Sequence, residues 1–192
     1  VNGLWKSADY GQTWAQVTSL SSFQYPGDKI SSLPGRAMGG IEGVLFDTST
    51  TNTGTATQTI YTAVAPDYAN AAGMNFNLYK STDGGATWTG VATPVTGYHI
   101  PHMVRARDGM IYVAFTQDMG PGAGGPCRLY KFDGTHWTLL KSYDPKQWVN
   151  FGMGGLSVSG SGPTTRIALG ISNSWGNWQG QPIVQLSDDA GQ

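Results

Sequence analysis

One turn motif recurs through the chain and limits what it can fold into. Ser81-Thr82-Asp83-Gly84-Gly85-Ala86-Thr87-Trp88 follows the alternating apolar segment Asn77-Leu78-Tyr79-Lys80. Ser7-Ala8-Asp9-Tyr10-Gly11-Gln12-Thr13-Trp14 follows Gly3-Leu4-Trp5-Lys6, and Ser187-Asp188-Asp189-Ala190-Gly191-Gln192 follows Ile183-Val184-Gln185-Leu186. A degenerate copy, Asp133-Gly134-Thr135-His136-Trp137, follows Leu129-Tyr130-Lys131-Phe132. The shared form is Ser-x-Asp-x-Gly-x-Thr-Trp. Ser and Asp side chains can take up nearby backbone N–H groups, and Gly reaches positive φ without a Cβ clash. Each copy therefore predicts strand, tight turn, strand, with the Trp ring covering an apolar seam.

This pattern is the Asp-box, a hairpin turn of β-propellers. Its residues here are Ser7, Asp9, Gly11 and Trp14; Ser81, Asp83, Gly85 and Trp88; and Ser187, Asp189 and Gly191. Their expected role is structural, fastening the two outer strands of a blade. Asp83-Gly84-Gly85 is not a calcium loop, because no run of alternating oxygen ligands ending in Glu follows it. The interval is 74 residues from Trp14 to Trp88 and 49 from Trp88 to Trp137. Periods near fifty fit a four-stranded propeller blade, with an insertion in the longer interval.

The remaining residues agree with an all-β chain. Among 192 residues there are 28 Gly and 10 Pro, and no stretch carries a long helical apolar period. Inner and middle strands are expected at 39–47, 58–65, 101–106, 110–116, 154–159 and 165–171. Outer strands are expected around the boxes, including 127–132, 137–141 and 183–186. The blades then run over 1–19 (the end of one), 39–93, 98–142 and 151–192 (incomplete). The end of one blade, two whole blades and most of a third amount to fewer than four complete blades, which cannot close a ring alone, so the sequence predicts either a segment of a longer protein or several assembling copies, and favours the segment.

Charge and cysteine content narrow the function classes. The net charge is −1, with charged residues only 12% of the chain and no basic stripe, which argues against nucleic acid. Seven Trp and nine Tyr on a weakly charged chain suit a neutral partner such as a polysaccharide. Cys127 is the only cysteine, so no intramolecular disulfide can form. No apolar run is long enough to span a bilayer, and no signal peptide is evident at the start. No cofactor or metal is implied; His99 and His102 lack a third ligand nearby.

The phrases NGLWKSADYGQTWAQVTS, TQTIYTAVA, LYKSTDGGATWTGV, FGMGGLSVS and NSWGNW, in that order, resemble the xyloglucanases of glycoside hydrolase family 74. The resemblance covers nearly the whole chain and implies a place in the middle of the family's N-terminal propeller. It implies a secreted enzyme that hydrolyses a β-1,4-glucan backbone, such as xyloglucan, with inversion. It also implies that the catalytic Asp residues lie outside this segment, so no residue here takes a catalytic role by motif. A sialidase would need an arginine cluster and a Tyr–Glu pair, and a non-catalytic glycan- or protein-binding propeller is the main rival.

Substrate contacts are expected from aromatic and polar residues where inner strands begin. The candidates are Tyr98, His99 and His102 before one inner strand, Trp148 and Phe151 before another, and Trp175 and Trp178 in a Gly/Asn-rich stretch. Glu42, within the first inner strand, is expected to face the channel or cleft. Burial of an unpaired carboxylate is costly, so it should meet water, Arg36 or a ligand.

Overall fold

The computed structural model describes residues 3–23, 40–52, 54–65, 76–117, 126–144, 150–174 and 183–191. Among them there is no α-helix. The strands are β1 (Trp5–Lys6), β2 (Ala15–Gln16), β3 (Ile41–Phe46), β4 (Ile60–Val64), β5 (Leu78–Ser81), β6 (Thr89–Gly90), β7 (His99–Arg105), β8 (Ile111–Thr116), β9 (Cys127–Phe132), β10 (Trp137–Tyr143), β11 (Asn150–Ser159), β12 (Arg166–Ser174) and β13 (Ile183–Ser187). Short 3-10 turns cover Thr18–Phe23, Thr48–Thr50 and Gly162–Thr164.

The strands form antiparallel meanders. β3-β4-β5-β6 and β7-β8-β9-β10 are four-stranded sheets, β11-β12-β13 is three-stranded, and β1-β2 is a hairpin. The innermost strands β3, β7 and β11 touch one another in sequence, β3 with β7 and β7 with β11. These are the blades of a β-propeller.

The core lies in the seams between blades. Ile111, Val113 and Phe115 of β8 pack with Tyr61, Ala63 and Leu78 of the preceding blade. Tyr112 and Ala114, on the opposite face of β8, pack with Met153, Ile167, Leu169 and Ile171 of the next. β8 is thus buried along its whole length, which is why IYVAFT carries no polar alternation. Trp137 closes the outer part of the first seam. Its ring stacks on Phe132 at 4.2 Å and meets Phe115 edge-on at 5.7 Å.

The boxes hold the outer hairpins as their residue types require. In the turn at 81–88, Ser81 Oγ donates to Asp83 Oδ1 (2.8 Å) and accepts from Gly85 N (2.8 Å). Asp83 then accepts from Thr87 N (2.9 Å) and Thr87 Oγ1 (2.5 Å). The turn at 7–14 repeats these bonds through Ser7, Asp9, Gly11 and Thr13. Ser187, Asp189 and Gly191 repeat the first part. Hydrogen bonds from Thr side chain and backbone hold Asp9 and Asp83 at a pKa of about 2. The turn needs left-handed backbone at its fourth and fifth positions, met by Gly84 and Gly85 but by Tyr10 and Ala190 at the fourth position elsewhere. Trp14 gives its Nε1–H to Gly11 O, whereas Trp88 Nε1 is sealed without an acceptor among the described residues.

Two inner strands begin earlier than the sequence suggests. β7 starts at His99 rather than 101, because Pro101 falls in a bulge between His99 and His102, where no ladder N–H is required. β11 starts at Asn150 rather than 154, and its register likewise shifts between Met153 and Gly155. β3 has the same irregularity between Ile41 and Gly43, so a bulge recurs in each inner strand.

Phe115→Ala, which empties the seam, should lower stability by about 3–5 kcal/mol, while Leu139→Ala on the exposed side of β10 should change it by less than about 0.5 kcal/mol; denaturant titration of the two variants checks this. Asp9 and Asp83 have folded pKa values below 3.8, so their contribution is complete above that pH and is lost as pH falls through about 2. An Asp9→Asn, Asp83→Asn double variant should therefore melt below the unaltered protein at pH 6, and the gap should close between pH 3.8 and pH 2.

Candidate functional site

In an antiparallel meander, successive connections alternate between the two ends of the sheet. The box turns join third and fourth strands, so they share an end with the turns joining first and second strands. The starts of the inner strands lie at the opposite end. Glu42, Tyr98 and His99 belong to that opposite end, away from all the boxes.

Glu42 occupies the bulge of β3 and its side chain is almost buried, at 6% exposure. One carboxylate oxygen pairs with His99 Nδ1 across the seam. The other accepts the backbone N–H of Ile100 at 2.8 Å, a group that the β7 bulge removes from the ladder. Burial thus finds a partner, but it is His99, 57 residues further on. Arg36 lies outside the described residues.

A second side-chain link ties the same two strands at their other ends. Arg105 Nε lies 2.9 Å from Asp47 Oδ1, with both side chains mostly buried. The contact is an ion pair without an aligned hydrogen bond at Nε. β3 and β7 are therefore pinned at both ends across the seam.

Tyr98 precedes β7, and its ring is packed against the seam core rather than standing out as a platform. Burial pushes its phenol above the ordinary tyrosine value. Its carbonyl accepts from Asn77 Nδ2 at 2.7 Å, and Asn77 Oδ1 accepts from Thr93 Oγ1 at 2.9 Å. Asn77, a buried polar residue that sequence reasoning passes over, thus fixes the segment leading into β7. The signal available is an Asn directly ahead of an apolar strand. His102 lies in β7, half-buried, with its backbone paired opposite Ala114. Phe151 belongs to β11, and Trp148, Trp175 and Trp178 lie outside the described residues.

Every described carboxylate is engaged. Asp9, Asp83 and Asp189 serve the boxes. Asp133 accepts from Thr135 N and His136 N, and Asp108 from Met110 N and Gly162 N. Asp144 pairs with Arg128 at 2.5 Å and Asp188 with Arg166 at 2.8 Å. Bonds from Ser142 and then Arg128 hold the Asp144 carboxyl below its usual range. No group of three metal-ligating side chains occurs among the described residues.

No family model matches the chain. It is 39% identical over 197 residues to a xyloglucanase of a Paenibacillus species, aligning 99% of this chain with 18% of that one. It is 33% identical over 200 residues to a xyloglucanase of Acetivibrio thermocellus, covering 22% of it. The chain thus spans about a fifth of the length of the curated relatives it matches. The crystal structure of a GH74 xyloglucanase from Xanthomonas campestris superposes with a TM-score of 0.71 at 30% identity, over 99% of this chain and 26% of that one. A GH74 enzyme from Niastella koreensis gives 0.68 at 32% identity, over 100% and 25%. Over nearly its whole length the chain is related, in sequence and in fold, to a segment of the glycoside hydrolase family 74 xyloglucanases.

Proposed function

We propose that the chain is part of a larger, secreted β-propeller glycosidase that hydrolyses the β-1,4-glucan backbone of xyloglucan with inversion. The observation that carries this reading is the end-to-end relation to xyloglucanases, at 39% identity in one case. A polymer of this kind is met outside the cell, which fits an exported enzyme.

Inversion needs an acid on the leaving oxygen and a carboxylate activating water, roughly 6.5–9.5 Å apart. The described carboxylates are all committed to turns, backbone N–H groups or cations. None of the described carboxylates is thus free to act as the acid or the base, and the reading places both in other parts of the parent protein, as the family resemblance implies. This segment supplies rigid blades and one bank of the substrate surface, at the end where inner strands begin. His99, His102, Trp148, Phe151, Trp175 and Trp178 are the proposed lining residues; Tyr98 packs into the seam instead. A sialidase is disfavoured because Arg105, Arg128 and Arg166 are each paired with an aspartate.

Incubation of the intact parent protein with xyloglucan, with the anomeric form of the new reducing ends followed by NMR, tests this reading. Cleavage that first releases the α-anomer is expected. Binding without cleavage would favour a non-catalytic glycan-binding propeller, and cleavage of a sialoside instead would overturn the substrate class. Within the same protein, Asp83→Ala should lower the Tm and leave xyloglucan affinity unchanged, because the box lies at the end remote from the proposed surface.

A further inference from the structure

Glu42 and His99 form a two-residue unit whose chemistry is fixed by its surroundings. A carboxylate only accepts hydrogen bonds, and both Glu42 oxygens already face donors: Ile100 N–H on one side and His99 Nδ1 on the other. In neutral His99 the proton must therefore sit on Nδ1, which leaves a lone pair on Nε2. His99 Nε2 has no hydrogen-bond partner among the described residues, and it is not among the sealed polar atoms, although the side chain as a whole is only 12% exposed. A rigid, oriented acceptor is thus presented at the end of the blades where inner strands start. The carboxylate behind it disfavours an anionic ligand. A neutral hydroxyl is the donor that fits.

We propose that His99 Nε2 accepts a hydrogen bond from a hydroxyl of a bound neutral oligosaccharide, and that Glu42 is a positioning residue that holds the imidazole in the tautomer needed. The inference rests on the glycosidase reading and names a contact within the proposed surface. It gives Glu42 no acid, base or substrate-contacting role, since neither oxygen is left to react. The same pair spans the seam between two blades, so the contact is placed by inner strands of adjacent blades rather than by a mobile connection.

The test uses the intact parent protein, with soluble xyloglucan for kinetics and xyloglucan oligosaccharides for calorimetry. His99→Phe keeps a ring and removes Nε2. It should raise KM and the oligosaccharide Kd by about 3- to 10-fold, as for one net hydrogen bond, with kcat nearly unchanged. Unaltered KM and Kd in a folded variant would overturn the proposal. If that variant does not fold, His99→Asn takes its place, because its amide NH2 can donate to Glu42 from the Nδ1 position and it has no atom where Nε2 stood: the same rise in KM and Kd supports the contact, and unaltered values overturn it. Glu42→Gln tests the positioning role. Its amide oxygen takes Ile100 N–H and its NH2 group donates to Nδ1, so the His99 proton moves to Nε2. The 15N resonance of Nδ1 should then change from pyrrole-like to pyridine-like; a resonance that stays pyrrole-like would refute the role given to Glu42. A parent that binds oligosaccharide without cleaving it defeats the glycosidase reading alone, and the calorimetric comparison still decides the contact.

Discussion

Burial of each sheet on both faces is the constraint from which the rest follows. An apolar strand such as β8 cannot leave either side in water, so its sheet needs a neighbour on each flank. The two seams meet this need with different residues of one strand, Val113 and Phe115 on one side and Tyr112 and Ala114 on the other. Radial stacking of blades is the geometry that repeats this arrangement without leaving a bare face between neighbours. The exposed apolar pair Val184 and Leu186 on β13 shows what a face looks like when no described neighbour from this chain covers it.

Polar groups then divide the labour along the blade. At the outer edge, Ser and Asp side chains saturate the backbone of tight turns, and they do so with contacts no more than four residues apart. At the inner edge, polar side-chain pairs cross from one blade to the next. Glu42 with His99 and Asp47 with Arg105 hold β3 against β7 at opposite ends. Bulges make the first of these links possible, because they turn Glu42 out of its strand and release Ile100 N–H to meet it. The architecture thus places its local bonds where hairpins turn and its long-range polar bonds at both ends of the inner strands.

This division explains what is legible in the sequence. The boxes are legible because every partner lies within the motif, and strand β9 falls at 127–132 as expected because its apolar pattern is local. β7 and β11 run longer than their sequences suggest, since Pro101 and the glycines around Gly154 look like strand breakers until the bulges that accommodate them are seen. Glu42 is recognisable as a carboxylate needing a partner, but nothing near it in sequence names His99. Asn77 and the Asp47–Arg105 pair escape notice for the same reason: their meaning depends on which blades become neighbours.

Hydrogen exchange on the intact parent protein tests the stacking of blades most directly. If β8 is sealed between two neighbours, its amides should exchange only through global unfolding, more slowly than those of the outer strand β10. Exchange of β8 at the rate of β10, under conditions where the protein stays folded, would contradict burial on both faces and the radial architecture that depends on it.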